Sequence, residues 1–266
     1  MTTQAARFVG SIPENYDRGL GPHIFFGYAD DLARRVADLR PGSVLELAAG
    51  TGIVTRKLRD ILKSDCDLVA SDLNAPMLEV AKAKFQPGES VQFEQADATD
   101  LDFDDSSFDL VACQFGVMFF PDKGRSFAEV YRVLKPSGSY IFNVWGSWDE
   151  NPFAQITHEV VAKLFPDDPP RFYKVPFSYH DADDIRESVL EAGFSHFSID
   201  SVSLRSDIPS VSEFATGLVF GNPLYEEVTT RGGDPKDICL AVADAIDHHL
   251  GSEMPLQALV IHAGKS

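Results

Sequence analysis

Nine residues, Val44-Leu45-Glu46-Leu47-Ala48-Ala49-Gly50-Thr51-Gly52, place an acid and a glycine turn within and just after a short apolar run. Glycine lets the backbone reverse tightly and lets a ligand approach the peptide groups. The free N–H groups of a helix that follows would face a carboxylate or phosphate. Taken alone, such a turn is also what any strand-to-helix connection uses. Three more polar side chains close later apolar runs: Asp72 in Ser71-Asp72-Leu73-Asn74, Asp97 in Gln95-Ala96-Asp97-Ala98, and Gln114 in Phe108-Asp109-Leu110-Val111-Ala112-Cys113-Gln114. In an open α/β sheet, ligands lie at the carboxyl ends of the strands, near the point where strand order reverses. The glycine turn, Glu46, Asp72, Asp97 and Gln114 are therefore expected around one crevice.

The acids narrow the ligand. A carboxylate after the second strand accepts two hydroxyl donors and suits a ribose diol, in NAD and in other nucleosides alike. Glu46 beside the glycine turn would repel the pyrophosphate of a dinucleotide. An ammonium and a sulfonium fit such a site better, and Asp97 could accept from an exocyclic adenine amine. These features describe S-adenosylmethionine (SAM) more closely than NAD. Thr55, standing where the dinucleotide fingerprint carries its third glycine, points the same way. An NAD-dependent oxidoreductase and a non-catalytic SAM-binding module are the alternative readings.

The same segments resemble those of class I SAM-dependent methyltransferases, in particular the ubiquinone/menaquinone-biosynthesis-like small-molecule methyltransferases. Val44 to Gly52 looks like their first motif, Ser71 to Leu78 their ribose-binding segment and Gln95 to Ala98 their adenine-binding segment. Phe108 to Val111, Arg132 to Gly138 and Leu190 to Phe194 match the segments around the later strands. The resemblance implies a Rossmann-like, seven-stranded, mostly parallel sheet with helices on both faces, its last strand antiparallel and inserted beside the sixth. It implies SAM as cofactor, S-adenosylhomocysteine as product, and methyl transfer to a small-molecule acceptor. By the same resemblance Glu46 or its adjoining backbone holds the methionine amino group, and Gly50, Thr51 and neighbouring amides line the methionine part. Asp72 takes the ribose, Leu73 and Met77 flank the adenine, Asp97 and Ala98 meet its edge, and Gln114 lies near the transferring methyl. The family usually has glycine where this chain has Ala48. If that position requires a positive φ, alanine costs about 1 kcal/mol.

On the acceptor side, Phe115, Met118, Phe119 and Phe120 follow the fourth strand, and Trp145 and Trp148 follow the fifth. They offer a wall for an apolar or aromatic acceptor, or serve as ordinary core. In the resembled family the segment around residues 8–28 folds over the cofactor, so Tyr16 and Tyr28 could reach it or simply pack. Tyr16 and His23 are the candidate general bases, and no catalytic residue is assigned. Adjacent His248 and His249 diverge by about 100° on a helix, so no metal site is assigned. Cys66, Cys113 and Cys239 stand apart and read as separate small apolar side chains.

Strand and helix patterns alternate from Ser43 to Val144, the signature of a doubly wound parallel sheet. The spacing predicts a helix from Ile24 to Leu39 before the first strand and a turn at Leu134 to Gly138 before the fifth. Residues 1–40 form an N-terminal segment and helix over the cofactor. Residues 41–266 form the main domain, with helical additions at about 146–177 and 208–249. The chain has 266 residues, 41 acids against 23 basic side chains, and a net charge of -18. Such a surface repels phosphate backbones and anionic lipids, so no nucleic-acid partner is expected. No apolar run approaches the ~20 residues of a membrane span. The opening stretch lacks the apolar core of a secretory signal, and a cytoplasmic location is expected. The oligomeric state is not legible.

Overall fold

The computed structural model describes residues 4–266; Met1, Thr2 and Thr3, part of the expected N-terminal segment, lie outside the described residues. In chain order the regular elements are α1 (Ile12–Gly19), α2 (Phe26–Asp38), β1 (Ser43–Leu47), α3 (Ile53–Ile61), β2 (Asp67–Asp72), α4 (Ala75–Lys82), β3 (Gln92–Gln95), β4 (Phe108–Gln114), α5 (Lys123–Val133), β5 (Leu134–Trp145), α6 (Pro152–Leu164), α7 (Ala182–Glu191), β6 (His196–Asp207), α8 (Val211–Phe220), α9 (Leu224–Thr230), α10 (Pro235–His249) and β7 (Glu253–Gly264).

One seven-stranded sheet runs in the order β3-β2-β1-β4-β5-β7-β6. The first five strands are parallel; β7 is antiparallel to both β5 and β6 and lies between them. This is the fold the family resemblance implied. β1 and β4 sit at its centre, and β1 is buried at every residue. Their near-continuous apolar runs follow from helices covering both faces. The order reverses between β1 and β4, which fixes where a ligand crevice must open.

Three local departures have physical causes. The expected helix from Ile24 starts with a wider π turn over Gly21–Phe25 before regular α2 begins. The turn expected at Leu134–Gly138 is instead the first part of β5. Its register against β4 shifts between Phe108 and Leu110, and Ser137 there adopts φ 65°. The Pro-Ser-Gly signal marks an irregularity within the strand rather than its boundary. Helices α1 and α9 were not anticipated, because each is too short to show a helical period.

The C-terminal helices pack together: α10 lies on α6 and α8, and α1 lies on α8. Gly19 and Gly217 make the last contact possible. A Cβ on Gly19 would lie 2.6 Å from the Gly217 Cα. The N-terminal segment is also pinned to the sheet loops. Phe8 N donates to Asn74 Oδ1 (3.2 Å), Asn74 Nδ2 donates to the Ala6 carbonyl (3.1 Å), and Asp17 accepts from Thr51 Oγ1 (2.7 Å) and from Lys84 Nζ. No helix among the described residues is long and apolar enough to cross a membrane.

Candidate active site

Two cavities meet under the N-terminal segment. The first opens at the carboxyl ends of β1 to β4 and encloses about 980 Å³, its mouth included. Of the side chains expected around a cofactor, Tyr16, Ala48, Gly50, Asp72, Leu73, Met77, Asp97, Ala98 and Gln114 lie on its wall. Gly50 (φ 56°) and Gly52 (φ 77°) supply left-handed turns after β1, and Gly52 caps α3. A Cβ on Gly52 would lie 2.8 Å from Ala81, so this turn also lets α4 come close.

Asp72 is 7% exposed. Its Oδ2 accepts from the Gly50 amide (2.8 Å), and its Oδ1 accepts from the amide (2.7 Å) and side chain (3.3 Å) of Asn74. Burial raises its pKa, while these hydrogen bonds oppose the shift. A carboxylate offers about four lone-pair directions, so Asp72 holds the glycine turn in place and keeps accepting capacity for a hydroxyl. Asp97 spends Oδ1 on the Thr99 amide (2.8 Å) and hydroxyl (2.7 Å). Gln114 donates weakly to the Phe25 carbonyl (3.4 Å), and its buried Oε1 has no partner among the described residues. The Gln114 side chain still contributes to the cavity wall, although that oxygen is enclosed.

Ala48 adopts φ 51°, so its left-handed backbone does carry the cost foreseen for alanine there. Its Cβ lies against the turn after β4, where a Cβ added to Gly116 would come within 2.6 Å of it.

Two expected cofactor contacts are not on this wall. Thr51 is 1% exposed and turns its hydroxyl to Asp17, tying α1 to the glycine turn. The Glu46 carboxyl is 1% exposed and lies behind the turn, with Oε2 unpartnered among the described residues. Its neighbours Leu47 and Ala48 reach the wall instead. Burial pushes Glu46 up to about 8; Thr55 opposes the shift and the charge of Asp72 adds to it. Glu46 is therefore largely protonated at neutral pH. The electrostatic exclusion of a diphosphate by Glu46 fails, and the acids on the wall are Asp72 and Asp97.

The second cavity, about 480 Å³, shares Phe8, Tyr16, Phe115 and Phe119 with the first. Trp145, Phe153, Phe172 and Phe177 supply most of its remaining aromatic surface. Its polar atoms are largely spent internally. Tyr173 Oη donates to the Leu218 carbonyl (2.8 Å), and Asn222 bonds Tyr173, Leu218 and Leu224. Among the described residues on its wall there is no carboxylate, lysine, arginine or histidine. Met118 and Trp148 lie off both walls, while Phe120 joins the first.

Neither candidate base fits that role. Tyr16 stacks on Phe25 (4.8 Å between centroids), and burial, with the charges of Asp72 and Asp17, pushes its phenol well above the ordinary tyrosine range. His23 lies off both cavities, with Nδ1 at 3.2 Å from the Asp207 carbonyl and its ring against Phe214. Tyr28 packs edge-on against Phe115 and Trp145 and takes no part in either wall. Sequence reasoning missed Phe8, Asn74, Phe172 and Phe177. Asn74 lies within the Ser71–Leu78 segment and Phe8 opens the covering segment, but neither was singled out; only the fold brings Phe172 and Phe177 to the cavities.

Comparison with known proteins agrees with this geometry. Residues 45–142 match the methyltransferase domain family. A demethylmenaquinone methyltransferase from Clavibacter sepedonicus is 40% identical over 108 residues, covering 41% of this chain and 43% of that protein. The ubiquinone/menaquinone biosynthesis C-methyltransferase UbiE of Hahella chejuensis is 33% identical over 126 residues, covering 46% and 47%. The chain thus spans about half the length of the curated relatives it matches. Among solved structures, the YcgJ protein from Bacillus subtilis superimposes with a TM-score of 0.60 at 20% identity, covering 90% of this chain and 98% of that one. A Haemonchus contortus phosphoethanolamine N-methyltransferase 2, solved with SAM, gives 0.61 at 15% identity, covering 95% and 56%. These structural likenesses establish the fold. Residues 45–142, set in this sheet, match the methyltransferase domain family and are similar to curated ubiquinone and menaquinone biosynthesis methyltransferases.

Proposed function

We propose that the chain transfers a methyl group from SAM to a small apolar or aromatic acceptor by in-line displacement. The observation that carries this reading is the pairing of two cavities with a shared wall. One sits at the strand ends and carries Asp72 and Asp97; the other is aromatic, and Tyr16 and Phe115 lie on both. When bound, SAM supplies a methyl activated by its sulfonium, and S-adenosylhomocysteine is the leaving product.

The residues present fit such a guest. Asp72 takes ribose hydroxyls with the accepting capacity left by Gly50 and Asn74. Leu73 and Met77 flank the adenine, and Asp97 and Ala98 meet its edge. Gln114 and the backbone of Ala48 and Gly50 meet the methionine part. Tyr16, kept neutral, donates a hydrogen bond and covers the site. The protein's contribution is alignment and exclusion of water, which can lower a barrier by several kcal/mol.

Among the described residues the second cavity offers no carboxylate or histidine, so a proton lost by the acceptor passes to water, before or after the methyl is transferred. An electron-rich quinol or phenolic ring suits the aromatic wall, and the relatives are named for methylation in ubiquinone and menaquinone synthesis.

Calorimetric titration with SAM, followed by turnover of labelled SAM over a panel of phenols and quinols, tests this. Binding in the micromolar range with label transferred to a ring compound is the expected result. Absence of SAM binding at millimolar ligand overturns the cofactor assignment. Binding without transfer to any ring acceptor favours the non-catalytic module.

A further inference from the structure

Two non-glycine residues with left-handed backbone flank the point where the cavities meet: Ala48 at φ 51° and Phe115 at φ 49°. A bulky side chain in that conformation is an outlier that persists only where its surroundings impose it. The surroundings of Phe115 do so. Its amide donates to the Asn143 carbonyl (3.2 Å) and to Asn143 Oδ1 (3.0 Å). Its ring lies flat on Trp145, centroids 3.9 Å apart and planes at 5°, with Tyr28 edge-on at 5.3 Å and Phe25 at 5.8 Å. The next residue cannot give way: a Cβ on Gly116 would lie 2.6 Å from the Ala48 Cβ and 2.7 Å from Cys113 Sγ. Phe115 is 6% exposed, and what remains exposed belongs to the walls of both cavities.

We infer that Phe115, clamped by Asn143 and Trp145, is the residue that sets how wide a ring the aromatic cavity accepts beside the cofactor. The strained backbone turns the ring onto Trp145, so the junction is closed by a fixed aromatic plate rather than by a mobile side chain. The inference deepens the methyl-transfer reading, on which its catalytic consequence rests, but its binding consequence stands alone.

The experiment is calorimetric titration of the full chain, saturated with S-adenosylhomocysteine, with phenol and with 2-naphthol. Replacing the ring in Phe115→Leu opens the junction. The affinity ratio of naphthol to phenol is expected to rise about tenfold, the discrimination a few missing carbon atoms give in an apolar pocket. Asn143→Ala keeps the ring but removes its side-chain anchor, and should move the ratio the same way by about threefold. A merely space-filling Phe115 would not respond to that change. Phe115→Gly, which the left-handed backbone accommodates without steric cost, carries the same test if the leucine variant does not fold. An unchanged ratio in these variants, or no binding of either ring to the wild type, overturns the inference. Turnover of labelled SAM on the same rings separates the two readings. A shifted binding ratio without turnover strikes only the methyl-transfer reading, and normal turnover with an unshifted ratio strikes only this one.

Discussion

The two cavities that share Tyr16 and Phe115 are built from opposite kinds of sequence. The acid-bearing one comes mostly from the residues just after β1, β2, β3 and β4, each within a few positions of a strand end. Backbone amides and short acids shape it, and each part is a local motif. The aromatic one gathers Phe8, Phe25, Phe119, Trp145, Phe172 and Leu218, which only the tertiary fold assembles. One is held by hydrogen bonds of fixed direction, the other by ring packing. Damage should therefore spread differently through each.

The strongest contrast comes from Trp145→Ala, which removes a ring stacked on Phe115 and Phe177 and edge-on to Phe153. A loss of about 3–5 kcal/mol in unfolding free energy is expected. In the protein that still folds, ring binding should fall while SAM binding is largely kept. Denaturant unfolding and the two titrations measure this, and equal loss of both ligands would break the distinction. On the polar side, Asp72→Ala strands the amides of Gly50 and Asn74 at a buried position. It should cost about 2–3 kcal/mol and at least about a hundredfold in SAM affinity, a drop of that same size. Ring affinity should stay within a few-fold.

The Glu46 carboxyl gives a pH-dependent version of the comparison. Its folded-state pKa, pushed up to about 8, exceeds its value in the unfolded chain. Between about pH 4.5 and 8 the unfolded state has released the proton and the folded state has not, so this group's stability contribution falls as pH rises. Thermal unfolding from pH 5 to 8 should show wild type losing ground to Glu46→Gln across that window. A constant gap between the two would remove the buried acid from the account. The smallest effect belongs to Ala48→Gly, which relieves a left-handed alanine and should gain up to about 1 kcal/mol. The same change should partly rescue Gly116→Ala, whose new methyl collides with Ala48, although the contact with Cys113 remains. A double-mutant cycle checks the coupling.

This contrast also explains what the sequence could reveal. The alternation of strand and helix and the wall at the strand ends were legible because Gly50, Asp72, Asp97 and Gln114 each sit at a strand exit, and a strand exit in this fold has one destination; the place of β7 came from the family resemblance. The importance of a positive φ at Ala48 could be posed from sequence, but only coordinates supply the angle. Glu46 misled for a related reason. Alternation within β1 does not say whether a carboxyl at its end turns toward the mouth or back under the turn, and the burial of Glu46 reverses its electrostatic meaning. His23 and Tyr28 looked chemical by type, yet one caps a carbonyl and the other packs. Phe172 and Phe177 carried no signal, since an aromatic residue in a loop or short turn has no period to betray its partner.

Phe8 and Tyr16 form part of the wall of both chambers, and the strand-end loops hold their segment through Asn74 and Asp17. The two compartments therefore have a common roof. Any shift of that roof large enough to reshape one doorway reshapes the other, so under the proposed function the traffic of nucleoside and ring would be mechanically coupled even though the two guests would contact different floors.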